Sequence, residues 1–263
     1  MTSSLPFIEF LQDNTIFHSR QPNPNSVGYN QKDMTGGKFN AMSIPFTATG
    51  SDKATLEGCL NFSNAVAGWG SNDADTIQVW DPTTSMYATY YLYDDNGVPG
   101  GWWNDETQEA FESDFPQGLE PGFSFWYLAQ ANSGALGMTQ SGQVPDFATV
   151  PFAITKGKFN AISYPFPVGL NLDDSDQVEW GNAVAGMGSN DADTIQVWDA
   201  TTSMYATYYL YDDNGTPGGW WNDETQEAFS TDFPNGLPAG NFVWYLAQPS
   251  ATAQTVTFKN PVQ

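Results

Sequence analysis

Apolar and polar residues alternate along this chain with a period of two. In MYATYYLY, residues 86–93, Met86, Ala88, Tyr90 and Leu92 fall on one side of an extended segment. Tyr87, Thr89, Tyr91 and Tyr93 fall on the other. Asp94-Asp95-Asn96-Gly97 follows directly. Asn-Gly after such a run signals a tight hairpin, so a return strand is expected around Gly101-Trp102-Trp103. Upstream, residues 75–80 place Ile77 and Val79 on one face and Gln78 and Trp80 on the other. Residues 38–46 and 123–129 predict further strands, with Pro45 marking an edge or a strand end. Residues 255–258 predict the last strand, and 148–154 a link between domains. Helix formers gather only at 104–111, NDETQEAF, enough for a loop or a single turn.

This strand plan occurs twice. Residues 64–111 return as 182–229 with three changes: Trp69 to Met187, Pro82 to Ala200 and Val98 to Thr216. Gly37-Lys38-Phe39-Asn40-Ala41 matches Gly157-Lys158-Phe159-Asn160-Ala161, and Phe125-Trp126-Tyr127 matches Val243-Trp244-Tyr245. A repeat this long is a whole domain, since solenoid units span about 20–50 residues. The expected fold is all-β: two tandem β-sandwich or small β-barrel domains, 35–150 and 151–263, behind an N-terminal arm, 1–34. The arm is expected to have no second copy. It is expected to pack on the first domain or to reach a neighbouring subunit as an added strand.

Charge narrows the partners. The chain carries 30 acids against 7 bases, a formal net charge of -23. Such a surface repels phosphate backbones and anionic membranes, so no nucleic acid is expected. No apolar stretch is long enough to span a bilayer, so no membrane insertion is expected. The aromatic content of 15% argues for a folded chain. The apolar run at 6–11 is too short and too acidic for a signal-peptide core, so the expectation is either that the protein is not exported this way or that the sequence is a mature form.

Candidate chemistry is sparse. His18 and Arg20, each the single residue of its type, lie outside the repeat, and Cys59 is absent from the second copy. A duplicated enzyme would duplicate its catalytic groups. Only acids meet that test: Asp105, Glu106 and Glu109, repeated as Asp223, Glu224 and Glu227. Glycoside hydrolysis needs two such carboxyls facing each other about 5–9 Å apart across a sugar. Acid-rich loops meet this by chance too readily to predict an enzyme. Calcium is the cofactor these acids suggest, with Asp73 and Asp75, repeated as Asp191 and Asp193, offering hard oxygen ligands at short spacing.

Aromatic residues supply the other candidate surface: Tyr87, Tyr91, Tyr93, Trp102 and Trp103, repeated as Tyr205, Tyr209, Tyr211, Trp220 and Trp221. They suit either a glycan, by ring stacking, or a protein interface. Aromatics on both faces of one strand favour burial on both, and therefore the protein interface.

The motifs FNAMSIPF (39–46), IQVWD (77–81), GWWND (101–105) and LEPGFSFW (119–126) together resemble small all-β modules of bacterial surface and secreted proteins, of planctomycete and verrucomicrobial type. The resemblance implies an all-β fold and an extracellular or cell-surface location, and carries no activity with it. The expected function is a non-enzymatic, self-associating structural protein of a cell surface, filament or lattice. Tandem carbohydrate-binding modules and a virion structural protein are the alternatives.

Overall fold

A computed structural model describes residues 27–47, 56, 60–116, 118–131, 136–249 and 253–261. Most of the expected arm (1–26), with His18 and Arg20, lies outside the described residues, as does Cys59.

The fold is almost all-β, built of antiparallel sheets that pack together. In the first half, a five-stranded sheet has the order β2-β7-β4-β5-β6. Its strands are β2 (Phe39–Ser43), β4 (Thr76–Asp81), β5 (Met86–Asp95), β6 (Val98–Asn104) and β7 (Ser124–Leu128). A three-stranded sheet, β1-β8-β3, comprises β1 (Val27–Met34), β3 (Leu60–Ser63) and β8 (Leu136–Gln143). The second half repeats both sheets. Its five-stranded sheet, β10-β15-β12-β13-β14, joins β10 (Phe159–Ser163), β12 (Thr194–Asp199), β13 (Met204–Asp212), β14 (Pro217–Asn222) and β15 (Phe242–Leu246). Its three-stranded sheet, β11-β16-β9, joins β9 (Thr149–Ile154), β11 (Val178–Glu179) and β16 (Gln254–Lys259). Among the described residues no sheet closes on itself. The segment 104–111, expected to be a loop or one helical turn, is a turn at 105–107 running into an isolated bridge at Ala110, and a single helical turn begins only at its end, α1 (Phe111–Asp114), repeated as α2 (Phe229–Asp232).

Local chemistry accounts for the strands. Ala88, Tyr90 and Leu92 of β5 turn toward a core shared with Ile77, Trp102, Phe125 and Tyr127. Cross-strand pairing stacks these residues: Ile77 lies opposite Tyr90, and Leu92 opposite Trp102. The β5–β6 hairpin turns on Asn96 and Gly97, both with positive φ (55° and 89°), as a tight turn between right-twisted strands requires. Met34 and Met138 bring the three-stranded sheet into the same core. In the second half Ile154, Val178, Val256 and Phe258 do likewise.

Two segments fall differently from the sequence-based expectation. Residues 27–34, placed in the arm, form β1, paired with β8 from Val27↔Gln143 to Met34↔Leu136. β1 occupies the place that β9 holds in the second half, so this stretch does have a counterpart. Residues 148–154 are accordingly more than a link, since they supply β9.

The two halves meet through the outer faces of their five-stranded sheets. Ala41, Trp126, Phe242 and Trp244 form a separate buried cluster there, flanked by Phe39, Trp80, Ala161 and Trp198. The contacts are reciprocal. Trp80 Nε1 donates to the Phe159 carbonyl at 2.9 Å, and Trp198 Nε1 to the Phe39 carbonyl at 2.7 Å. Trp80 meets Trp244 edge-on at 5.5 Å, and Trp198 meets Trp126 at 5.6 Å. Lys38 and Lys158 each reach the opposite β-turn, at Ser203 and Thr83. Like patches face like patches, the arrangement of a two-fold dimer built within one chain.

Candidate functional site

The acids proposed as metal ligands have other partners. Asp75, at 0% exposure, immediately precedes β4, with its carboxylate inside the protein. Its Oδ2 accepts from the Val66 N–H at 3.0 Å and from the Tyr127 hydroxyl, and its Oδ1 accepts from the Gln130 N–H at 2.7 Å. Asp193 repeats this with Val184 (3.1 Å), Tyr245 (2.5 Å) and Gln248 (2.7 Å), and adds the Gln254 amide at 3.2 Å. Asp73 and Asp191 accept from backbone N–H groups of their own loops, at Trp69 and Gly70 and at Met187 and Gly188. Both oxygens of each carboxylate therefore face N–H or O–H donors. The donor set is that of a loop-fixing carboxylate. Among the described residues no group of three or more His, Cys, Asp or Glu side chains is placed to hold a metal ion.

Burial first, and the neighbouring carboxylate second, push the Tyr127 and Tyr245 hydroxyls well above the ordinary phenol range. These phenols stay protonated and serve as donors to Asp75 and Asp193. The acids at 104–111 are also engaged. Asp105 accepts from the Ser71 N–H (3.2 Å) and hydroxyl (2.8 Å), and Asp223 does the same for Ser189. Glu106, Glu109, Glu224 and Glu227 stay at the surface, and the backbone N–H groups of Glu106 and Glu224 donate to Asn104 Oδ1 and Asn222 Oδ1, both at 3.0 Å.

The candidate aromatic residues divide among three environments. Trp102 and Trp220, 1% exposed, belong to the hydrophobic cores. Neighbouring strand residues point to opposite faces, so Trp102 and Trp103 cannot share a surface. Tyr87 and Tyr205, each 42% exposed, lie at the rim of the contact between the halves. Tyr87 packs on Trp80 at 4.9 Å and on Trp244 at 6.4 Å, and Tyr205 repeats this with Trp198 and Trp126. These two therefore touch the other half of the same chain.

Tyr91, Tyr93 and Trp103 lie beyond that contact, at the far end of the same outer sheet face. Tyr93 packs against Trp103 at 5.5 Å and Tyr91 at 6.5 Å. Tyr91 is buried beneath, its hydroxyl donating to Gln108 at 3.1 Å. Trp69, from the loop before β4, stands edge-on to Tyr93 at 5.8 Å and is 67% exposed. The sequence reading missed Trp69. Its one signal was a place among the three positions at which the repeats differ. The second half carries the same platform on Tyr209, Tyr211 and Trp221, with Met187 (68% exposed) in place of Trp69. Asp105 and Asp73 lie close enough to raise the Tyr91 hydroxyl further, after burial as the main cause.

Trp80, Trp126, Trp198 and Trp244 were also absent from the candidate list, yet they form the centre of the contact between the halves. The alternation that turned Trp80 away from Ile77 was the available signal. Among the described residues no helix is long and apolar enough to cross a membrane. No family model matches the chain, and comparison with curated proteins and with solved structures gave no match.

Proposed function

We propose that this protein acts by binding rather than by catalysis, and that it recognises neutral glycans through two aromatic platforms. One is built on Trp69, Tyr93 and Trp103, the other on Met187, Tyr211 and Trp221. In this reading each half is a β-sandwich. The carrying observation is the 67% exposure of Trp69, which stands edge-on to Tyr93 beyond the contact between the halves. An exposed indole costs hydration, and its flat face suits the C–H face of a pyranose ring. Uncharged sugars are favoured because a net charge of -23 repels acidic ones. Two platforms on one chain suit a multivalent surface, where weak sites gain avidity. The resemblance to surface and secreted modules supports an extracellular or cell-surface location.

Self-assembly is the second reading, supported by the exposed Val27 and Tyr29 on edge strand β1 (62% and 54%). A filament, lattice or virion role would use that edge. Of the tyrosine face first expected to mediate assembly, Tyr87 lies at the rim of the contact between the halves, and Tyr91 and Tyr93 lie beyond it.

A glycan array probed with the intact protein and with Trp103→Ala/Trp221→Ala separates these readings. Retention on neutral glycans, lost in the double variant, supports recognition. No retention, together with ordered filaments or sheets by electron microscopy, replaces it with assembly.

A further inference from the structure

The seam between the halves departs from symmetry around β1 and β9. β9 turns Val150, Phe152 and Ile154 inward, and the ring of Phe152 lies against Gly122, where an added Cβ would come within 2.7 Å of it. On the other side of the seam, β1 turns Asn30, Lys32 and Met34 inward. Lys32 stands at the position of Phe152: each is paired with the equivalent residue of its neighbour strand, Met138 and Val256. Asn241, just before β15, stands where the first half has Phe123. An apolar contact on one side is thus replaced by a lysine and an asparagine on the other.

Lys32 Nζ contacts the Ala41 carbonyl and the side-chain carbonyl oxygen of Asn241. The backbone of Asn241 is fixed from both directions. Its N–H donates to the Pro238 carbonyl at 3.3 Å, and its carbonyl accepts from the Ser43 hydroxyl at 3.1 Å. We propose that Lys32 and Asn241 form an intramolecular isopeptide bond that ties the two halves of the chain together.

The reaction needs an unprotonated amine, a carboxamide in contact with it, and exclusion of competing water. Burial alone lowers the Lys32 amine to about 7, so a substantial share is the free base at neutral pH. The amine attacks Cγ of Asn241, and a new Nζ–Cγ bond forms. The proton released by Nζ passes to Nδ2, the Cγ–Nδ2 bond breaks, and ammonia leaves. No oxidant, reductant or cofactor enters the balance. Holding the two groups in contact replaces a bimolecular encounter, the effect that gives intramolecular reactions their high effective molarities. The bond would join residues 209 apart in sequence and restrict the unfolded chain as a long-loop cross-link does.

Intact mass spectrometry of the denatured full chain tests this, both fresh and after prolonged incubation at mildly alkaline pH. The expected mass is that of the sequence less one ammonia. Digestion should yield one branched peptide joining the Lys32 and Asn241 segments. Lys32→Ala and Asn241→Ala should each restore the full mass. Succinimides at Asn96-Gly97, Asn214-Gly215 or Asn235-Gly236 also lose ammonia, so a deficit that persists in Lys32→Ala overturns the proposal. A full mass in both samples overturns it too. As a check independent of those variants, a protease site can be inserted between β8 and β9. After cleavage, the halves should still migrate as one species under denaturing conditions, and their separation would refute the bond.

Discussion

Asp75→Asn tests whether the paired acids organise the fold or hold metal. The substitution keeps the shape of the side chain and leaves one acceptor oxygen for three donors, the Val66 N–H, the Gln130 N–H and the Tyr127 hydroxyl. The new amide group also turns its own N–H toward one of them. Hydrogen bonds to a charged group contribute about 1.5–3 kcal/mol each, and a buried donor left unpaired costs about 1–3 kcal/mol. Relief from burying a charge offsets part of the loss. The net destabilisation is expected to be about 2–5 kcal/mol. Urea unfolding followed by tryptophan fluorescence, with calcium and again with chelator, measures it. The midpoint should fall by the same amount in both conditions, and Asp193→Asn should behave alike, because Asp193 holds the same kinds of donor. A wild-type midpoint that rises with calcium, and loses that rise in Asp75→Asn, would refute the reasoning and support the metal reading.

Other consequences can be measured as directly. Tyr90, Tyr127, Tyr164, Tyr208 and Tyr245 are all raised above the ordinary phenol value of 10.0, burial being the largest cause. A raised acid stabilises the fold fully below its unfolded value, and that stability is lost as pH climbs above it. These phenols should therefore ionise together with unfolding above about pH 10, in one cooperative step of tyrosinate absorbance; independent ionisation in the folded state would contradict their burial. Trp244→Ala removes the ring that Trp80, Tyr87, Phe159 and Phe242 contact, and should cost about 3–5 kcal/mol in a denaturation experiment. A change below about 1 kcal/mol would mean that the halves do not depend on this seam. Gly122→Ala meets both a φ of 92° and the Phe152 ring, whereas Gly97→Ala meets only a φ of 89° in open space. Gly97→Ala should cost about 1–2 kcal/mol, and Gly122→Ala distinctly more.

Much of the fold was legible because alternation and duplication both survive in the sequence. Ala88, Tyr90 and Leu92 face the core as their period demands, and Asn96-Gly97 makes the turn its composition requires. β1 was not legible as a domain strand because Asn30 and Lys32 occupy inward positions that the second half fills with Val150 and Phe152. Polar residues there erase both the alternation and the likeness to β9. The candidate surface was only partly legible. Trp102 and Trp103 were grouped although neighbours in a strand must diverge, and Trp69 sits in a loop where periodicity says nothing. Asp73 and Asp75 resemble ligands in sequence because a carboxylate that gathers N–H groups and one that gathers a cation are the same residue. Only the placement of Val66, Tyr127 and Gln130 separates the two roles.

The central claim is that the exposed ring cluster of each half binds a neutral glycan, and the difference between Trp69 and Met187 gives it an internal test. Isothermal titration of the intact protein with a neutral oligosaccharide is the most direct measurement, repeated with Trp69→Met and Met187→Trp. The account predicts two sites of unequal affinity, the tighter weakened by Trp69→Met and the weaker strengthened by Met187→Trp. Binding that neither substitution alters, or no heat of binding across a range of neutral oligosaccharides, would contradict it.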